Sequence, residues 1–117
     1  GMRAMGRQWA RGMVHPERVG SPVFEEIVTM IERSTPDIFE AQIRALLNRP
    51  DAGELLPRIA CRTLLVCGRE DGWSPLARHE QMLAAMADAR LVVIEASGHM
   101  STMERPGAVT AALASWL

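Results

Sequence analysis

The sequence predicts an α/β fold: a helical amino-terminal half, then a βαβ unit with two parallel strands and a closing helix. Up to about residue 55, apolar residues recur at helical spacing, whereas two later runs, residues 64–66 and 91–94, are continuously apolar. Strands buried on both faces of a parallel sheet have that second pattern. A helical pattern separates the two runs, as a βαβ crossover requires. We therefore divide the chain into a helical segment, residues 1–55, and a βαβα segment, residues 56–117, that together form one structural unit.

Three amphipathic helices are predicted in the first half. Met5, Trp9 and Met13 recur at steps of four and give residues 3–14 one apolar face. A hydroxyl residue followed by proline marks a helix start, because the hydroxyl caps the first turn and proline suits the first helical position. Two such starts follow: Ser21-Pro22 and Thr35-Pro36.

The second half is predicted to contain strands over residues 63–67 and 90–95, with a helix over about 75–87 between them. Ser74-Pro75 is the predicted cap and start of that helix. The closing helix begins near Pro106, and its apolar residues recur at helical spacing: Val109, Leu113, Trp116 and Leu117.

An acid follows the first predicted strand and a histidine follows the second: Asp71 and His99. Parallel neighbouring strands end at one edge of the sheet, where open α/β sheets place ligands, so the two side chains can meet. A histidine that takes a nucleophile's proton and a carboxylate that fixes its tautomer are the supporting members of a catalytic triad. Trp73, Met100 and Met103 flank the pair and are candidates for an apolar substrate pocket; simple core packing is the alternative.

Three motifs stand in order along the second half: Gly68-Arg69-Glu70-Asp71, Gly98-His99 and Glu104-Arg105-Pro106. Together they resemble the carboxyl-terminal part of the α/β-hydrolase fold family, over about residues 56–117. The resemblance implies that Asp71 and His99 are the acid and the histidine of a Ser-Asp-His triad. It also implies a parent enzyme that hydrolyses a small ester or a related acyl compound. Residues 3–55 look similar to the cap that many members insert before the acid-bearing strand.

These residues do not include the nucleophile that the family pattern requires. The family order is nucleophile, acid, histidine, with the serine in a Gly-x-Ser-x-Gly elbow. No serine here has that setting, and the oxyanion-hole segment is missing too. We therefore expect the chain alone to be inactive. Three interpretations stay open: a truncated enzyme or fragment, one half of a split hydrolase, and a non-catalytic module for dimerisation or partner binding.

Composition and charge argue against several other classes of function. A net charge of −1, with both signs mixed along the chain, gives no electrostatic attraction to nucleic acid or membranes. No His or Cys cluster has metal-ligand spacing, and no cofactor is expected. Cys61 and Cys67 flank one strand and lie about 20 Å apart, against about 5.5 Å for a disulfide. Free cysteines, with no predicted leader or apolar span, favour a cytoplasmic location.

The first strand has a predicted open edge. Two strands are too few for an independent sheet, and an open apolar edge promotes association. We expect this edge to be covered by the amino-terminal helices or paired with a second copy. Pairing is favoured, and it gives a homodimer with a continuous four-stranded sheet or an exchanged helical segment.

Overall fold

The computed structural model describes residues 1–117, which form six α-helices and one two-stranded sheet. The elements are α1 Met2–Ala10, α2 Pro22–Glu32, α3 Pro36–Asn48, β1 Thr63–Gly68, α4 Leu76–Ala85, β2 Ala89–Ile94, α5 Ser101–Glu104 and α6 Pro106–Trp116. Two 3₁₀ helices, Pro16–Arg18 and Gly53–Arg58, lie in the connecting segments. Helices, then a βαβ unit, then a closing helix make up the predicted α/β class, which is confirmed.

The main hydrophobic core lies in the helical half, where α1 packs against α2. Ser21 Oγ accepts a hydrogen bond from the backbone N–H of Phe24 at 3.4 Å, and Thr35 caps α3 in the same way. Both predicted helix starts are therefore confirmed. The fully apolar centre of this core consists of five buried residues: Ala10, Val14, Phe24, Ile27 and Val28.

Helix α1 is shorter than the predicted range of residues 3–14. It ends at Ala10, and the next residues form turns. In these turns the carbonyl oxygen of Met13 accepts a hydrogen bond from the backbone N–H of Met100 at 3.0 Å. Met13 therefore leaves the helical face of Met5 and Trp9, because its backbone joins the helical half to the loop after β2.

Strands β1 and β2 pair in parallel, from Thr63 opposite Ala89 to Gly68 opposite Ile94. Helices α4 and α6 pack against both strands. The loops that follow the strands leave the same edge of the sheet, which places the residues after Gly68 beside those after Ile94. This is the arrangement that the two apolar runs predict.

The predicted capping of α4 by Ser74 is wrong. The helix begins at Leu76, Pro75 occupies the position before it, and no side chain caps the first turn. The backbone N–H of Ser74 instead donates to Oδ1 of Asp71 at 2.8 Å. Ser74 thus belongs to the turn that holds the acid, which delays the start of the helix.

Helix α6 faces the sheet with small residues. Ala112 is buried, whereas Leu113 and Leu117, which the sequence places on the apolar face, are exposed. Ala108 and Ala112 lie in the groove between α6 and the outer residues of β2. Small alanine side chains let α6 approach β2 closely. The larger side chains of Leu113 and Leu117 therefore lie on the side of α6 opposite the sheet.

Much apolar surface stays exposed in this chain. The accessible surface is 7697 Å², against about 6,300 Å² for a typical monomer of 12.9 kDa. Helix α3 has no buried residue, although its sequence is amphipathic. The exposed large apolar side chains of α3 and the segment after it are Ile38, Leu46, Leu47 and Leu55.

Both cysteines are free, as the strand geometry predicts. Cys67 is buried near the end of β1, and this burial, with the nearby Asp71 carboxylate, raises the pKa of its thiol. No three His, Cys, Asp or Glu side chains are grouped so as to hold a metal ion. None of the helices has the length and apolar character needed to span a membrane.

Candidate active site

Asp71 lies in a tight turn directly after β1, with its side chain only 6% exposed. Its Oδ1 accepts hydrogen bonds from the backbone N–H groups of Trp73 at 2.9 Å and Ser74 at 2.8 Å. The backbone N–H of Asp71 itself donates to the carbonyl of Gly68 at 3.2 Å. An aspartate that accepts from residues just ahead of it makes such turns rigid. These bonds fix the carboxylate and leave Oδ2 for another partner.

That partner is His99. Its Nδ1 lies 2.9 Å from Oδ2 of Asp71. An ionised carboxylate can only accept, so Nδ1 carries the proton and Nε2 keeps a free lone pair. The His99 side chain is 40% exposed, and its Nε2 makes no hydrogen bond within the chain. The imidazole can therefore take a proton from a hydroxyl that approaches from its open side.

The loop that carries His99 is held against the loop that carries Asp71. The backbone N–H of Ser97 donates to Oε2 of Glu70 at 2.9 Å, and the N–H of Glu70 donates to the carbonyl of Ser97 at 2.9 Å. Ala96 adopts a left-handed backbone with φ 51°, which makes the sharp turn out of β2. The two loops are thus cross-linked immediately beside the acid and the histidine.

An exposed ion pair spans the starts of the same two loops. Arg69 donates through Nε and Nη2 to the two carboxylate oxygens of Glu95, both at 2.6 Å. These hydrogen bonds lower the pKa of the Glu95 carboxyl and raise the pKa of Arg69. Two parallel hydrogen bonds of this kind fix the relative orientation of the two side chains as well as the distance between them, so the ion pair adds to the alignment of the loops.

Two glycines let backbone segments of the site approach closely: Gly68 between the two loops, and Gly98 between the second loop and the segment after α1. A Cβ on Gly68 would lie 2.1 Å from the carbonyl oxygen of Gly98 and 2.5 Å from that of Ser97. A Cβ on Gly98 would lie 2.7 Å from the carbonyl carbon of Val14. Every one of these neighbours is backbone and has little freedom to move. Both glycines are needed for space, since neither has a positive φ.

Trp73 lies beside the acid–base pair. Its ring centroid is 5.9 Å from that of His99, with 31° between the planes. Trp9 meets Trp73 edge-on at 4.8 Å, and Phe39 meets Trp9 edge-on at the same separation. A row of aromatic rings therefore runs from the histidine into the helical half.

Met100 and Met103 are placed differently. Both are partly buried against the hydrophobic core of the helical half. Their predicted contact with substrate is not tested by this packing and stays a prediction.

Glu104 contacts the loop that carries His99. The sequence shows the Glu-Arg-Pro motif, but these contacts could not be predicted from the motif alone. The buried carboxylate of Glu104 accepts hydrogen bonds from the backbone N–H groups of His15 and Gly98 at 2.7 and 2.9 Å. One signal was available: Glu104 follows Met100, the residue just before α5, by four positions, about one helical turn, so the two side chains lie on the same side of the chain.

Comparison with known proteins extends these observations to nearly the whole chain. Residues 2–113 match the alpha/beta hydrolase family. Among solved structures, a thermophilic esterase from Thermogutta terrifontis is 30% identical with a TM-score of 0.91, over 99% of this chain and 43% of that one. An esterase from Exiguobacterium antarcticum is 25% identical with a TM-score of 0.77, over 97% of this chain and 42% of that one.

A third similar structure is 2-hydroxy-6-oxo-6-phenylhexa-2,4-dienoate hydrolase from Rhodococcus sp. strain RHA1. It is 25% identical with a TM-score of 0.71, over 97% of this chain and 43% of that one. The chain therefore spans less than half the length of each of these three proteins. The predicted resemblance is confirmed, and the family match includes the helical half. This chain belongs to the α/β-hydrolase family.

Proposed function

We propose that this chain supplies the acid and the general base of a hydrolase that acts on small esters or related acyl compounds. The observation that carries the proposal is the 2.9 Å contact between His99 Nδ1 and Asp71 Oδ2, at the carboxyl ends of two parallel strands. Two of the similar structures are esterases and a third is a hydrolase, which supports the same reaction class. Hydrolysis needs only the groups of a triad and water, so the proposal includes no cofactor.

In the proposed reaction, Nε2 of His99 takes the proton of a serine hydroxyl while the serine oxygen attacks the ester carbonyl. Asp71 stabilises the imidazolium that forms. The tetrahedral intermediate then expels the alcohol, which receives the proton from His99. A water molecule repeats both steps on the acyl-enzyme and releases the carboxylic acid, which restores the serine and the neutral histidine.

The proposed substrate pocket has an apolar wall next to the base. Trp73 supplies it, and Met100 and Met103 are proposed to extend it. A cleft of about 330 Å³ lies beyond Trp9 between α1, α2 and α3, lined mainly by apolar side chains. Ligand sites of this volume take small molecules, so we propose that the acyl or alcohol group is apolar.

The nucleophile and the oxyanion hole are proposed to come from outside these 117 residues, on the same longer polypeptide or on a separate chain. No Gly-x-Ser-x-Gly elbow occurs among the residues. The accessible surface exceeds that of a typical monomer by about 1,400 Å², enough for a further packed unit. We therefore propose that the chain alone has no triad activity.

A p-nitrophenyl ester assay tests this proposal. The purified 117-residue chain should show no hydrolysis above background. The chain joined to, or co-expressed with, a polypeptide that carries a Gly-x-Ser-x-Gly elbow and the oxyanion hole of an α/β-hydrolase should hydrolyse the ester. That activity should be lost in His99→Ala and kept in the control His79→Ala, because His79 lies on α4 and its ring makes its one hydrogen bond to the Pro75 carbonyl.

Two results would contradict it. Hydrolysis by the 117-residue chain that disappears in His99→Ala would place a nucleophile within these residues. A completed protein that folds but hydrolyses no ester would remove the proposed function.

A second proposal concerns the free edge of β1. The strand pairs only with β2, and α4 and α6 are the helices that pack most extensively against it. We propose that in the isolated chain this edge pairs with a second copy, giving a homodimer.

Sedimentation velocity or light scattering measures this association directly. The expected mass is about twice 12.9 kDa across a dilution series. A monomer that persists at all concentrations would contradict the homodimer, and would leave the catalytic proposal unaffected.

A further inference from the structure

A buried carboxylate lies under the loop that carries His99. Glu104 ends α5, and its side chain is 0% exposed. Oε2 accepts hydrogen bonds from the backbone N–H of Gly98 at 2.9 Å and from Ser97 Oγ at 3.5 Å. Oε1 accepts from the backbone N–H of His15 at 2.7 Å and from Nη1 of Arg18 at 3.3 Å. Three of these four partners, the two backbone N–H groups and the guanidinium, can only donate, so the site is built around an acceptor.

Arg18 is the counter-charge that makes this burial possible. A buried carboxylate without a partner is strongly unfavourable, and Arg18 is the only cation in contact with it. Nη1 of Arg18 also donates to the carbonyl of Ala96. Arg18 and Glu104 therefore connect the segment that follows α1 to both ends of the sharp turn after β2, at Ala96 and at Gly98.

We propose that Glu104 is a positioning residue for His99. The inference rests on the proposed role of His99 as the base. Glu104 accepts the hydrogen bond of the Gly98 N–H, which belongs to the Ser97–Gly98 peptide. This peptide lies one unit before the Gly98–His99 peptide, and the carboxylate is the hydrogen-bond partner of its N–H in the chain. If that peptide moves, the imidazole moves away from Asp71. Displacements of about 1 Å can lower turnover by about 10²-fold.

The variant Glu104→Gln tests this. Glutamine keeps the size of the side chain, but its NH₂ group faces two donors in place of an acceptor, and the charge that pairs with Arg18 is lost. In the ¹⁵N spectrum of the isolated chain, His99 should change from the Nδ1–H tautomer to the mixture typical of a free imidazole. In the completed enzyme, kcat should fall by about 10²-fold with KM nearly unchanged.

The matched control is Glu26→Gln, which removes an exposed carboxylate on α2 that makes no hydrogen bond or ion pair within the chain. This variant should keep the Nδ1–H tautomer of His99. A loss of the tautomer in both variants would overturn the proposal, because the effect would then not be specific to Glu104.

A second variant decides the matter if Glu104→Gln does not fold. Arg18→Met keeps an unbranched side chain but removes the charge and both hydrogen bonds, to Glu104 and to the Ala96 carbonyl, so the Nδ1–H tautomer should be partly lost. An unchanged tautomer in either folded variant overturns the proposal. A wild-type chain that lacks the Nδ1–H tautomer would instead remove the assignment of His99 as an Asp71-oriented base, and so the proposed function.

Discussion

Replacement of Asp71 by asparagine is expected to lower kcat of the completed hydrolase by about 10⁴-fold while the fold is kept. The asparagine oxygen can still accept from the N–H groups of Trp73 and Ser74, as Oδ1 of Asp71 does. Its NH₂ group then faces Nδ1 of His99 and donates to it. The histidine must therefore carry its proton on Nε2, where it cannot accept the proton of a nucleophile.

The measurement is the steady-state kinetics of p-nitrophenyl ester hydrolysis, with Asp88→Asn as the matched control. Asp88 is an exposed aspartate just before β2, and no hydrogen bond of its side chain involves the site. Its replacement should leave kcat unchanged. A loss of less than about tenfold in Asp71→Asn would mean that the histidine does not depend on this carboxylate.

Replacement of Gly68 by alanine is expected to destabilise the chain by about 2–3 kcal/mol and to separate the two loops of the site. The added methyl group would lie 2.1 Å from the carbonyl oxygen of Gly98 and 2.5 Å from that of Ser97. Neither oxygen can move without shifting the peptide that precedes His99. We therefore expect a lower urea midpoint with an unchanged slope, and loss of the contact between His99 and Asp71.

Gly107→Ala is the control for this substitution. Nothing lies within 4 Å of a Cβ at Gly107, which is in the first turn of α6. Alanine favours helix over glycine, so this variant should be more stable by up to about 1 kcal/mol. Equal stability of the two variants would show that Gly68 and Gly98 are not in close contact.

Most of the fold could be predicted because its signals are local. The continuous apolar runs at residues 64–66 and 91–94 lie within β1 and β2, which pair in parallel. The hydroxyl–proline pairs predicted the starts of α2 and α3 because both capping contacts form within one turn.

The errors occur where a distant partner decides the structure. Met13 leaves α1 because its carbonyl binds the N–H of Met100, which is far away in the sequence. Leu113 and Leu117 have the helical spacing of a core face, yet α6 meets the sheet through Ala112. No periodicity in one helix reveals which of its faces another element will cover.

The same distinction applies to the site. Asp71 and His99 could be placed together because each directly follows a strand, and parallel pairing brings strand ends together. Glu104 could not be assigned a role, because two of its donors lie 89 and 86 positions earlier in the sequence, at His15 and Arg18. Trp73 was predicted as a neighbour of the acid, but its edge-on contact with Trp9 again depends on tertiary packing.

The most direct test of the acid–base pair is the tautomer of His99 in the 117-residue chain, read from its imidazole ¹⁵N resonances where the ring is neutral. His15 is an internal reference, because its Nδ1 accepts from the N–H of Glu17 and its proton must therefore be on Nε2. We predict the opposite tautomer for His99, with the proton on Nδ1, and its loss in Asp71→Asn but not in Asp88→Asn. A His99 that carries its proton on Nε2 in the unmodified chain would contradict the account.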